Sequence, residues 1–242
     1  MVTLPIYKKK ERYKIHPSKI IALGLNYLEH IKESQEIALN LDIDPEKAKN
    51  TLPTEPHIFP KTPNVLIGPD EPVVIPKIAY QYNFETVRTD LEAELAIIIK
   101  DKCKNVPKNE AMKHILGFTC MNDVSQRNIQ KSDKTGWFRG KSFDTFGPIG
   151  PQVVLMEDIG DPQNLRIQSR LNGNVCQDSN TRFMIFDIPS IIEYVSHNFT
   201  LEEGDIIITG TPKGVAALKE GDIMEIEIEN IGTLRNPVKM EI

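Results

Sequence analysis

Asp90-Leu91-Glu92-Ala93-Glu94-Leu95-Ala96-Ile97-Ile98-Ile99 is the stretch on which the reading of this chain turns. Its second half is apolar on both faces, as in a strand buried on both sides. Alternate residues of a strand share a side, so Glu92 and Glu94 point together with their Cα atoms about 6 to 7 Å apart. Two carboxylates so placed can converge on one hard divalent cation, which neutralises charges that are costly to bury unpaired. The competing reading is a solvated acidic face. The chain contains an example of it in Glu225, Glu227 and Glu229, which alternate with Met224, Ile226 and Ile228 as a half-buried strand requires. Glu92 and Glu94 differ in running straight into a fully apolar core.

Other segments extend the list on both sides. Asp123 follows the apolar run Ile115–Met121, so it is either a site residue at a strand end or the cap of the segment 124–130. Upstream, Ile20-Ile21-Ala22-Leu23 stops at Gly24, and Asn26 with Glu29 three positions later has the form of a capping box, which predicts a helix from about Tyr27. His30 and Glu33 share a face of that helix: either a water-activating pair or an exposed histidine with an incidental acidic neighbour. Arg139-Gly140-Lys141 sets two cations beside glycine backbone, and Thr209-Gly210-Thr211-Pro212-Lys213-Gly214 offers hydroxyl and amide donors after the strand Ile206–Ile208. Each of these could also be an ordinary turn.

Around them lie short apolar runs such as Val65–Ile67 and Val73–Ile75, separated by turn residues, so the chain reads as mostly strands. Ile188, Ile191, Ile192 and Val195 fall on one helical face, and that helix ends before Gly204. Glu-Gly-Asp at 203–205 and again at 220–222 predicts two hairpin turns. Residues 34–57 are polar, close on Pro53 and Pro56, and read as a surface excursion that acts as a mobile lid on an otherwise single catalytic domain, 1–242.

With 242 residues, 40% of them hydrophobic, the chain can bury one sizeable core. A net charge of −5 gives no basic field for nucleic acid or anionic lipid. Three scattered cysteines frame neither a disulfide scaffold nor a zinc site. The opening residues do not read as a secretory signal and no apolar run spans a bilayer, so a cytoplasmic protein without membrane or nucleic-acid partners is expected. Nucleophile elbow, His-Glu-x-x-His and dinucleotide fingerprint are missing.

Taken in order, Gly24-Leu25-Asn26-Tyr27 with His30 and Glu33, Phe59-Pro60-Lys61-Thr62-Pro63, Asp90–Leu95, Asn122-Asp123, Lys141–Phe146 and Thr209–Val215 resemble the fumarylacetoacetate hydrolase family. The resemblance implies an α+β, predominantly β fold, a mixed β-roll or sandwich, assembled as a homodimer. It implies Glu92, Glu94 and Asp123 as ligands of one Mg²⁺ or Mn²⁺. It gives His30, Glu33 and Lys141 catalytic roles and places Asn26, Arg127, Gly210 and Thr211 at the substrate. The chain departs from the family in a longer segment between Glu33 and Phe59 and in Asn128, where Asp is often found. No extra N-terminal domain of the full-length fumarylacetoacetases is present, so that substrate is not expected. The implied activity is hydrolysis of a C–C bond in a small acylpyruvate-like dicarbonyl acid, with oxaloacetate decarboxylation at the same centre. The alternative is isomerisation or tautomerisation of an unsaturated 2-hydroxy or 2-oxo diacid.

Overall fold

A computed structural model of the chain describes residues 2–40, 52–134 and 136–242. The architecture is α+β and predominantly β, as expected. Its centre is a seven-stranded mixed sheet in the order His57–Lys61, Ile20–Gly24, Ile206–Ile208, Ala93–Ile99, Ile115–Asn122, Gly147–Leu155, Leu66–Ile67. A five-stranded sheet ordered Asn174–Asn180, Arg166–Leu171, Ile223–Ile228, Gly232–Met240, Val73–Ile75 shares its core, with Leu95 and Ile97 in one apolar cluster with Ile167 and Ile226. The Glu225/Ile226 alternation is observed, with Met224, Ile226 and Ile228 buried. No described helix is long and apolar enough to cross a membrane.

The deciding stretch makes two strands rather than one. Ala93–Ile99 is buried throughout at the centre of the large sheet, whereas Thr89–Leu91 pairs with Ser125–Gln126 and Ala216–Ala217 in a separate small sheet. Glu92 is the junction. Its N–H leaves the ladder to donate to Asn122 Oδ1 at 2.9 Å, and its carbonyl accepts from Asp123 N at 2.9 Å. Sequence periodicity does not show the break because apolar residues stand on both sides of it.

Register then determines where the site lies. Ala93 pairs with Asn122 in an antiparallel ladder, so Glu92, just before one strand, and Asp123, just after the other, emerge at one end of the sheet. Ile206–Ile208 is antiparallel to Ala93–Ile99 and parallel to Ile20–Gly24, so the 209–214 loop and the connection to the next helix leave at that end too.

That helix is Leu28–Asn40. It starts where expected but is not capped by Asn26. The Asn26 amide accepts from Phe186 N at 2.8 Å and donates to Thr209 O at 2.8 Å and Phe186 O at 3.2 Å, so it is engaged with distant backbone and not with the helix. The helix also runs through Ser34 to Asn40, where a surface excursion was expected, held by buried Ile31 and Ile37. Residues 41–51, the middle of the expected lid, lie outside the described residues. Ile188–Asn198 forms as expected, with Ile188, Ile191, Ile192 and Val195 buried and Asp187 capping Ser190 N at 2.8 Å. Both Glu-Gly-Asp segments are turns with glycine at positive φ, 81° and 86°. Neither joins two strands that pair with each other, which corrects the hairpin reading.

Candidate metal centre and active site

Glu92, Glu94 and Asp123 are at most 3% exposed, and each offers an oxygen within 4.8 Å of those of the other two. Asp123 does not cap the following helix. Gln126 does, accepting from Ile129 N at 2.7 Å, so the Asp123 carboxylate is left to the cluster. Buried cations surround it. Lys141 Nζ donates to both Glu92 and Asp123. Lys61 Nζ sits 2.7 Å from Asp123 Oδ1 and also donates to the Lys141 carbonyl. Arg127 Nε donates to Asp90 Oδ2 at 2.8 Å, Nη1 to Gln130 Oε1 at 3.2 Å and Nη2 to Glu92.

The three carboxylates are not electrostatically equivalent. Burial opposes ionisation of Glu92, but Arg127, Lys141 and His30 outweigh it and hold its carboxyl far below the usual range. Glu94 goes the other way. Burial, then the charges of Asp123 and Glu92, push its pKa well above the usual carboxylate value, and the 2.7 Å bond from Gly210 N offsets little of that. Among the described residues Glu94 forms no ion pair. A divalent cation at the meeting point of these three oxygens would supply the positive charge that this crowding calls for, so the donor set fits Mg²⁺ or Mn²⁺.

His30 lines the same cavity from the Leu28–Asn40 helix, with Glu33 beside it on that helix. His30 is 5% exposed, which removes the reading of an exposed histidine. Its Nδ1 lies 2.9 Å from Glu33 Oε2, while Glu33 Oε1 accepts from Gly214 N at 2.9 Å. One carboxylate therefore orients the imidazole and ties the helix to the 209–214 loop. The cavity is lined in part by His30, Phe59, Arg127, Trp137, Lys141 and Thr211. Of the sequence-derived set, Glu92, Glu94, His30, Lys141, Arg127 and Thr211 all line it; Asp123 and Gly210 are tied to it through Lys141 and Glu94. Asn26, expected at the substrate, is instead committed to the backbone of 186 and 209.

Arg139 also stays away from the centre. It pairs with Asp133 at 3.0 Å and reaches the Tyr82 hydroxyl. Gly140 owes its identity to packing, since a Cβ there would lie 2.6 Å from Gln130 N. Asn128 uses both ends of its amide, accepting from Arg88 N at 2.8 Å and donating to Thr86 O at 2.7 Å, which an aspartate could not do. Lys61 and Lys131 are site residues that sequence reasoning did not single out. Lys131 lines the cavity and donates to Ser34 O at 3.0 Å; burial, then the Arg127 charge, brings its pKa down to about 8.

Residues 19–239 match the family described as Fumarylacetoacetate (FAA) hydrolase C-terminal. The chain belongs to the fumarylacetoacetate hydrolase family. Within that family of enzymes it is 39% identical over 249 residues to the 2,4-didehydro-3-deoxy-L-rhamnonate hydrolase of Sphingomonas sp. SKA58, covering 98% of this chain and 80% of that one. It is 39% identical over 231 residues to a mitochondrial oxaloacetate tautomerase of Xenopus laevis, covering 92% of this chain and 66% of that one. A solved structure, maleylpyruvate hydrolase from Sphingobium sp. SYK-6 in complex with manganese(II) and pyruvate, superposes with a TM-score of 0.74 at 31% identity, covering 93% of this chain and 72% of that one.

Proposed function

We propose that this protein hydrolyses a C–C bond in a small acylpyruvate-like acid, with Glu92, Glu94 and Asp123 holding one Mg²⁺ or Mn²⁺. The observation that carries the proposal is His30, oriented by Glu33, lining the same cavity as Glu92 and Glu94 of the three-carboxylate cluster. A cation held by Glu92, Glu94 and Asp123 would supply electrostatic stabilisation of the charge that develops on a 2-oxo acid.

The remaining chemistry belongs to the side chains. Glu33 holds Nδ1–H, which leaves Nε2 of His30 as the base that takes a proton from water. The hydroxide so formed adds to the distal carbonyl of the substrate, and Lys141 offsets the negative charge that develops. The C–C bond then breaks, its electron pair passes to the 2-oxo acid fragment, and that carbon takes up a proton. The products are a carboxylic acid and a 2-oxo acid. Arg127, Gly210 and Thr211 are the groups assigned to the bound acid.

A second reading, tautomerisation or isomerisation of a 2-oxo diacid, is favoured by the identity with the Xenopus tautomerase. It needs proton movement but no attacking water. Acetylpyruvate loss, followed by absorbance beside the enol–keto exchange of oxaloacetate, separates the two. The proposal expects acetylpyruvate turnover with Mg²⁺ or Mn²⁺ that chelator abolishes. Metal-dependent exchange of oxaloacetate with acetylpyruvate untouched would replace it with the second reading.

A further inference from the structure

Gln177, on the Asn174–Asn180 strand, is fully buried and uses every hydrogen-bonding capacity of its amide. Its Oε1 accepts from Ala93 N at 3.0 Å and from Ser169 Oγ at 2.9 Å. Its Nε2 donates to Thr211 Oγ1 and to Pro212 O, each at 2.7 Å. Backbone groups at the two ends determine which end is which. The Ala93 N–H can only donate and the Pro212 carbonyl can only accept, so the amide cannot be flipped.

The consequence falls on Thr211. Its oxygen accepts a hydrogen bond from Gln177, so its own single proton cannot point back along that line and must point elsewhere. Thr211 lines the catalytic cavity, and among the described residues its hydroxyl has no acceptor. We propose that Gln177 is a positioning residue that makes the Thr211 hydroxyl an obligate donor toward the cavity. This corner thereby selects a carboxylate or carbonyl oxygen on the ligand and disfavours a donor group. The same amide holds Ala93, the residue between Glu92 and Glu94, so one side chain sets the metal-ligand strand against the substrate loop. The proposal deepens the reading of this cavity as a 2-oxo acid site and rests on it.

A double-mutant cycle tests it, with oxalate as the probe and Mn²⁺ present, read by calorimetry. Thr211→Ser, which keeps the donor, is expected to bind oxalate within about threefold of wild type. Thr211→Val is expected to lose about tenfold or more, the scale of one buried hydrogen bond to a charged group. Gln177→Glu, which puts an acceptor where the donor was, is expected to lose a similar factor in the wild-type background and less than about twofold more in Thr211→Val. Should Gln177→Glu fail to melt cooperatively, Gln177→Met replaces it with the same expectation. Equal losses in both backgrounds would make Gln177 a mere structural support and overturn the proposal, as would full binding by Thr211→Val. Wild type that binds Mn²⁺ but no oxalate would instead overturn the 2-oxo acid reading on which the proposal stands.

Discussion

Glu94 is the cluster's carboxylate without a cation of its own, and that makes its titration a test of the site. Its folded pKa is raised, so the folded state holds the proton more tightly than the unfolded state, and stability falls as pH rises from the ordinary carboxylate range through the raised value. Thermal melts of metal-free protein between pH 4 and pH 8 should show that fall, and Glu94→Gln should flatten it. Glu33 makes a second test. Its two oxygens serve His30 and Gly214 separately, and glutamine, with a single acceptor, cannot serve both. Glu33→Gln is expected to reduce acetylpyruvate hydrolysis about 10²-fold and, through the bond it gives up, to lower the melting temperature by a few degrees; full activity would remove the pair from the mechanism. The period of two picked out Glu92 and Glu94 in the sequence, although Glu92 stands at the break between two strands and not within one strand with Glu94. Lys61 and Gln177 were not legible as site residues, since a lysine between two prolines and an amide in a polar stretch give no sign of burial until the partners that bury them are known.

At the scale of elements, the 209–214 loop carries the tightest backbone demand. Gly210 has φ of 92°, and a Cβ there would lie 2.8 Å from that of Asn26. Gly210→Ala should cost about 1 to 3 kcal/mol of stability, measured by denaturant unfolding, and should weaken oxalate binding because the amide that meets Glu94 moves with it. A variant as stable as wild type would show that the loop tolerates the shift. The two main helices were legible for different reasons. Ile188–Asn198 shows its apolar face in the sequence, and the structure adds the Asp187 cap. The start of Leu28–Asn40 was found from Asn26, whose amide turned out to bond segments 160 and 183 residues away. A capping residue and a long-range clip are the same residue type, and local sequence does not separate them.

Over the whole molecule, the predominantly β fold was legible from short apolar runs and turn residues, but the assignment of strands to sheets was not. Thr89–Leu91 and Ala93–Ile99 are neighbours in the chain and belong to different sheets. That division depends on Asn122 and Gln177 supplying acceptors for Glu92 N and Ala93 N from distant positions. The break brings Glu92 beside Asp123 at the end of the sheet from which the 209–214 loop and the connection to the Leu28–Asn40 helix also leave, so fold and site form together. Binding of a cation to that preformed cluster should stabilise the folded chain by about 2.7 kcal/mol at one hundred times its dissociation constant, about 5 to 10 °C for a chain of this size. The direct measurement is a calorimetric titration of metal-free protein with Mn²⁺, wild type beside Glu94→Gln, which disturbs no ion pair among the described residues. The account predicts one saturable site per chain in wild type and at least tenfold weaker binding in the variant. Wild type without a saturable site, or a variant that binds equally well, would contradict it.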